Sequence, residues 1–517
     1  MKQGIKPFLE ELLGFVHVLD DVQEGPDIQP YLLKIAAKYA DIDNKGQLWH
    51  SLDDLCGDIP ETYLMLLEYL YAAVKDEEIL EKQLSLLKEG LQNDTLDLFY
   101  ANYYKWQITH RLFTTFNSKN FYCERSDLHK ALINKMEKFI DLQLPFIEEN
   151  KRNKDRIVVA IAQFLGIKHG PTRNALDYCY TLQSKLKKEV FLFIANELPV
   201  TSNSEYENYG IQYTYFNYLE KYDGYFTLEY RGVTIKGYQC KINAGNKKQI
   251  REVLLNVYEW NPGLVYNIGS ENMVIDLCSR FTKEVTIPLG NIYPITDGPY
   301  LIVPRKIEKG DKEIINYISK NNQRVIESIF VYKLEEPIKK YLKSDFGIEE
   351  QAFVIAIVGT RLEAEIDDEF IRILHQILES DPTIFIVFMG NFPDYEDAQV
   401  KIGYQDRVKY IGHQSDVRGV MNIAQLYLNP PRRGGGTSSV EALAEGVPVI
   451  TLPKCDVAYS CGEDFYCAST KDMLKLIQRY MQDDEFYRVQ KEKAYRQAER
   501  VVDTEAVLKN IIDIVGI

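Results

Sequence analysis

The chain is short of positive charge, of long apolar runs and of paired cysteines. Its 517 residues carry 61 Lys and Arg against 76 Asp and Glu, a formal net charge of −15. A nucleic-acid binder needs a basic face to displace phosphate counterions, so that class is excluded as the main reading. The same balance disfavours tight docking on an anionic membrane. No apolar run reaches the roughly 18 residues from which a membrane-spanning helix is built. The start, Met1-Lys-Gln-Gly-Ile-Lys-Pro-Phe-Leu-Glu-Glu11, lacks the arrangement of a secretory signal, so a cytosolic protein that is not transmembrane is expected. Eight cysteines are scattered without a Cys-x-x-Cys pair, which implies reduced thiols. Cys455, Cys461 and Cys467 recur every six residues, but no nearby histidine completes a tetrahedral set, and no metal is expected. Neither of the two common phosphate motifs, Gly-x-Gly-x-x-Gly or Gly-x-x-x-x-Gly-Lys-Ser/Thr, occurs.

What is present suits a large α/β enzyme, since 45% hydrophobic content supplies ample core for several domains. Residues 1–152 read as an all-α domain, with helical periodicity in Phe8 to Val18, Ile28 to Tyr39, Tyr63 to Val74, Ile79 to Leu91 and Leu128 to Phe146. The aromatic-rich piece Leu98 to Phe113 is its expected core. A charged linker, Lys151 to Arg156, opens a second domain at 153–335, which starts strand, loop, helix, strand over Ile157 to Ala195. The tyrosine-rich stretch Tyr206 to Tyr238 fits either strands or a lid. A third domain, 336–517, begins with the buried-type strand Phe353 to Val358 and continues through Thr383 to Gly390 and Arg407 to Gln414. Strands alternating with helices imply parallel, doubly wound sheets, whose ligands lie beyond the carboxyl ends of the strands.

One such end is Asn429-Pro-Pro-Arg-Arg-Gly-Gly-Gly-Thr-Ser-Ser-Val-Glu441, followed by a Gly-Val-Pro step into another strand. The glycines let the backbone approach a ligand, and Thr437, Ser438 and Ser439 stand at a helix N-terminus, where unpaired N–H groups and the helix dipole attract phosphate. Glu441, about one turn in, is placed to accept hydrogen bonds from ribose hydroxyls. Upstream, Val358-Gly-Thr-Arg-Leu362 ends a strand on a glycine turn that carries Arg361, a cation for the same phosphate; Arg432 and Arg433 add charge.

The segment Asn429 to Thr451 resembles the donor-binding signature of GT-B fold glycosyltransferases of the group 1, family 4 type. The resemblance implies two Rossmann-like domains facing a cleft, with the all-α domain in front. It implies that Arg361, in a Gly-x-Arg-Leu pattern, serves the donor diphosphate, and that Arg433, Gly435, Gly436, Thr437, Ser438, Ser439 and Glu441 bind the donor. It also implies that the loop at His413 and Gln414 meets the nucleotide base. Many retaining relatives place a glutamate eight residues before the ribose-binding one, and here that position is Arg433, so inversion and retention both stay open. The helical domain in front of a GT-B pair also resembles, in layout, the cytoplasmic glycosyltransferases that modify bacterial adhesins.

In the second domain, His169-Gly-Pro-Thr172 resembles a His-x-Pro-Thr element of some GT-B enzymes. An imidazole titrates near neutral pH, which makes His169 the first candidate for a general base. Gly170 and Thr172 join it as acceptor-side candidates, with Ser270 and Glu271 after the strand Pro262 to Ile268. The expected reaction moves a sugar from a nucleotide-sugar donor, a UDP-sugar by preference, to a saccharide, glycolipid or protein acceptor. No metal or other cofactor is expected, since no Asp-x-Asp pair stands out in the α/β part. A protein glycosyltransferase subunit, an inactive GT-B partner, a nucleotide-sugar epimerase and a phosphorylase are the alternatives. The helical domain is where a partner protein or a second copy would be recruited.

Overall fold

A computed structural model describes residues 5–20, 29–56, 59–114, 119–162, 164–166, 169–197, 219–240, 246–432 and 434–517. They fall into two compact units, one comprising Met1–Ile302 with Glu308–Ile326 and Ile517, the other Val303–Ile307 with Glu327–Gly516. The expected class, α/β with two Rossmann-like sheets behind a helical region, is the one the chain forms.

The first unit begins with seven described helices: α1 (Ile5–Asp20), α2 (Gln29–Ala40), α3 (Lys45–Cys56), α4 (Pro60–Val74), α5 (Glu77–Gln92), α6 (Leu98–Thr114) and α7 (Tyr122–Ile140). Local chemistry sets their starts. Pro60 opens α4, where its missing N–H costs nothing. The Asp76 carboxylate caps α5, and that of Asp97 accepts the N–H groups of Phe99 and Tyr100 at 2.8 and 3.0 Å to start α6. The periodicity predicts that α7 runs to Phe146, but it stops at Ile140 because Asp141 turns left-handed at φ 51°. Tyr63, Tyr69, Tyr71, Tyr103 and Tyr104 are buried, so the aromatic stretch on α6 is core as expected. Lys105 and Arg111 on the same helix are buried with them, which periodicity does not foretell.

The same unit continues as β1 (Asn153–Ile161), α8 (Gly170–Ser184), β2 (Glu189–Ile194), β3 (Gly224–Tyr230), β4 (Val233–Gln239), α9 (Lys247–Trp260), β5 (Pro262–Ile268), α10 (Met273–Asp276), β6 (Glu284–Ile287), β7 (Tyr300–Val303), α11 (Lys312–Lys320) and β8 (Arg324–Glu327). The sheet order is β3-β4-β2-β1-β5-β6-β7-β8. β1 pairs in parallel with both β2 and β5, so the order reverses there. The described part of the tyrosine-rich stretch is the antiparallel β3–β4 hairpin; the rest of that stretch lies outside the described residues. Arg231 at φ 53° and Gly232 at φ 79° make its turn, the two successive positive values that match the strand twist.

The second unit holds β9 (Phe353–Gly359), α12 (Leu362–Glu365), α13 (Asp368–Ser380), β10 (Ile384–Gly390), α14 (Tyr395–Ile402), β11 (Val408–Tyr410), α15 (Val417–Met421), β12 (Leu426–Leu428), α16 (Gly436–Ala444), β13 (Val449–Ile450), α17 (Asp456–Cys461), α18 (Thr470–Gln482), α19 (Asp484–Val501) and α20 (Thr504–Val515). Its five strands are all parallel in the order β11-β10-β9-β12-β13. The order reverses between β9 and β12, and a crevice opens beyond the carboxyl ends of strands at such a point. The chain passes Gly359 and Arg361 after β9, and the triple-glycine turn after β12.

Candidate functional site

Arg432 organises this crevice. Its guanidinium donates from Nε to Asn429 Oδ1 at 2.8 Å, from Nη1 to Glu365 Oε2 at 2.7 Å and from Nη2 to the Tyr427 hydroxyl at 2.7 Å. The side chain is 3% exposed, so the charge that the sequence adds at this turn through Arg432 is spent inside the protein on Glu365. The surrounding glycines follow from this. A Cβ on Gly359 would stand 2.6 Å from Arg432 Nη1, and one on Gly435 would stand 2.6 Å from Nη2. Neither glycine has room for a side chain because a fixed arginine lies beside both.

Gly435 is the N-cap of α16 at φ 81°, and as a glycine it has no side chain to cap the helix. A Cβ on Gly436 would meet the Tyr332 hydroxyl at 2.4 Å and Ser460 Oγ at 3.0 Å. The Gly434 N–H is held by Asp456 Oδ2 at 2.9 Å, which fixes the approach to the turn. The three hydroxyls expected at a ligand are divided. Ser439 is buried and donates to the Gly436 carbonyl at 2.8 Å, and Ser438 Oγ lies 3.1 Å from the Gly435 carbonyl and 2.9 Å from the Tyr427 hydroxyl. Both hydroxyls are used within the protein, and the Ser439 N–H is bonded to the Gly435 carbonyl at 3.1 Å, so of the two only Ser438 presents its backbone N–H on the first turn of the helix; Thr437 is half-buried there. Glu441 is half-buried one turn along α16.

Arg361 sits beside this turn, its Nη2 3.6 Å from where a Cβ on Gly434 would be. Its side chain is 54% exposed and has Glu365 Oε1 at 3.4 Å. Glu365 thus holds two arginines of opposite character, Arg432 buried and Arg361 open to solvent. A mobile anion would find its cation at Arg361, where desolvation is small. After β11, His413 is exposed and the Gln414 amide donates to the Ile411 carbonyl, closing the loop on itself. The Gly412 carbonyl accepts from the Gly390 N–H at 2.9 Å, which ties this loop to the end of β10. Arg433 lies outside the described residues.

In the first unit, His169 precedes α8 and is half-buried, with Nδ1 3.3 Å from Thr172 Oγ1. Burial pushes its imidazole below the ordinary histidine range. Thr172 does not face a ligand as expected: it is fully buried, and its hydroxyl accepts the Leu165 N–H at 3.2 Å, pinning the loop. Gly170 opens α8, and a Cβ there would meet nothing within 4 Å.

Ser270 and Glu271 correct the sequence reading most clearly. Ser270 Oγ accepts the Ile295 N–H at 2.8 Å. Glu271, at φ 60° and 1% exposed, takes Arg125 Nη2 on Oε1 and the Thr109 hydroxyl on Oε2, each at 2.7 Å. Its carbonyl accepts Lys105 Nζ at 3.0 Å, and His129 Nε2 lies 2.8 Å from Asp276 Oδ2 nearby. These residues bind α6 and α7 to the carboxyl end of β5 and keep the Glu271 carboxylate from an acceptor. Burial would raise the Glu271 carboxyl, but Arg125 and Lys105 outweigh it and hold the group below the carboxylate range. Burial and the neighbouring Asp276 hold Glu284 far above that range. The sequence signal that was available is the charge on α6, where Lys105 and Arg111 interrupt an aromatic core stretch.

Residues 339–497 match the family described as Glycosyl transferases group 1. No curated protein matches the chain. Among solved structures, a mutant of Thermobaculum terrenum O-GlcNAc transferase aligns over 100% of this chain and 98% of its own, with 13% identity and a TM-score of 0.53. The pneumococcal O-GlcNAc transferase GtfA, solved with UDP and GlcNAc, aligns over 70% of this chain and 99% of its own at 10% identity and a TM-score of 0.45. Anabaena Alr3699/HepE, solved with UDP and glucose, aligns over 70% and 99% at 12% identity and a TM-score of 0.45.

Proposed function

For a chain that is a glycosyltransferase of the GT-B fold, we propose transfer of a sugar from a nucleotide-diphosphate donor to a saccharide, glycolipid or protein acceptor, with a UDP-sugar as the first donor to test. One observation carries the donor assignment: a helix N-terminus opened by a glycine turn with Arg361 beside it, at the strand reversal of the second sheet. The backbone N–H groups from Gly435 onward take the diphosphate, and Arg361 neutralises the charge that grows on the leaving phosphate. This set supplies the positive potential without a metal ion. Glu441 accepts the ribose hydroxyls. No described helix is long and apolar enough to cross a membrane, and we place the reaction in the cytosol.

The Glu441→Gln variant is expected to bind the donor more weakly by roughly 1–3 kcal/mol, because one strong acceptor for buried hydroxyls is lost. Titration calorimetry with UDP and a UDP-sugar reads this directly, and an unchanged affinity removes Glu441 from the site.

We assign His169 the role of general base toward the acceptor. Its lowered proton affinity keeps the ring neutral at pH 7. With Nδ1–H donated to Thr172 Oγ1, Nε2 is left to accept a proton. Because the shift is downward, the acid limb of kcat/KM should fall below pH 6.5, the ordinary histidine value that burial lowers. The His169→Ala variant should lose turnover by about 10²–10⁴-fold with donor affinity kept. Normal turnover by a folded variant rejects the assignment.

A further inference from the structure

We propose that the groove between α9 and the β2–β4–β3 end of the first sheet is a saccharide subsite, apart from the strand ends that carry His169. It takes from the proposed transferase only the class of its ligand, the sugar chain of an acceptor.

The groove exists because α9 is narrower than the sheet it covers. Ile250, Val253, Leu254 and Val257 on α9 share a buried core with Val158 and Val265 on β1 and β5. The sheet continues past the helix through β2, β4 and β3, and its face there is aromatic. Tyr225 stands across from Tyr238 with ring centres 4.8 Å apart, Phe191 lies 6.5 Å from Tyr225, and Trp260 closes the row 5.8 Å from Phe191. Trp260 is held in place by Arg156, which donates to its carbonyl at 2.9 Å and lies over its ring at 5.6 Å. Between them is a cavity of about 330 Å³, inside the size range of small-ligand sites. Tyr225 remains 65% exposed, a large aromatic surface left to solvent on a paired strand.

The rim opposes this floor in chemistry. Glu252, Asn256 and Glu259 recur along one face of α9, and Asn256 and Glu259 border the cavity. Burial and then Glu252 and Glu259 raise the Tyr225 hydroxyl above its ordinary range, and Glu259 lines the cavity together with that ring. A sugar ring has an apolar C–H face and an edge of hydroxyls, and it matches an aromatic floor bordered by carboxylates and an amide. An acyl chain would leave the rim groups desolvated without partners. Trp260 and Arg156 lie at the amino ends of β5 and β1, so a chain held here would be gripped away from its reacting end.

The test is titration of cellotriose, maltotriose and chitotriose into the full-length protein by saturation-transfer NMR, with UDP-sugar hydrolysis followed in parallel. At least one trisaccharide is expected to bind. Tyr225→Ala and Asn256→Ala should each weaken it by tenfold or more while donor hydrolysis and melting temperature stay put. No binding by any trisaccharide, or binding that survives both variants, overturns the subsite, as does a peptide or lipid that binds the groove in its place. Trisaccharide binding without donor hydrolysis leaves the subsite standing and rejects the transferase; hydrolysis without trisaccharide binding does the reverse.

Discussion

Arg125→Ala should destabilise the first unit by about 3–5 kcal/mol. Breaking a buried ion pair leaves its partner charged and unsatisfied in a low dielectric. The Arg125 and Glu271 side chains are 6% and 0% exposed, and both oxygens of Glu271 are used, one by Arg125 and one by Thr109. Water has no access to replace the guanidinium. The carboxyl of Glu271 is held below its ordinary range, so the stability it contributes is present above the unfolded carboxylate pKa of about 4.3 and is lost as pH falls below it. Urea denaturation at pH 7 checks the variant, with Lys6→Ala on an exposed helix surface as the control. A loss under about 1 kcal/mol, the size of a surface pair, would show that α6 and α7 are not fastened through this ion pair.

Gly435→Ala should abolish donor binding, by about a hundredfold or more, with little loss of global stability. Two effects add. At φ 81° an alanine is strained by about 1 kcal/mol, and its Cβ would lie 2.6 Å from Arg432 Nη2. That guanidinium cannot retreat, because Glu365, Asn429 and Tyr427 hold it from three sides. The turn must move instead, which carries its N–H groups away from the diphosphate they are proposed to hold. Calorimetric titration of UDP into the variant measures this. Binding within threefold of the parent chain would mean that the glycine serves packing alone.

The second unit was legible in the sequence because its signals are local. Strand, turn and helix start are contiguous from Leu428 to Glu441, and a strand ending in Gly359-Thr360-Arg361 needs no distant partner to be recognised. The hidden parts are contacts across the chain. Arg432 reads as one more cation beside Arg433 until Glu365, 67 residues earlier, is seen to hold it. Glu271 reads as a helix-start carboxylate in a strand-end loop, and only its pairing with Arg125, 146 residues away, makes it a fastener. Ser438 and Ser439 read as ligand hydroxyls because the motif gives their positions and not their rotamers. The tyrosine-rich segment was ambiguous because β3 alternates exposure along its length, with Tyr225 on an open sheet face and Tyr230 buried.

The central claim is that the turn from Gly434 to Ser439 binds a nucleotide diphosphate. Titration of UDP, GDP and ADP into the full-length protein in the presence of EDTA tests it most directly, with Gly435→Ala alongside. One of the three is expected to bind with one-to-one stoichiometry, and the variant is expected to lose it. If none binds, or if the variant binds as the parent chain does, the diphosphate is not held by this turn and the donor site is contradicted.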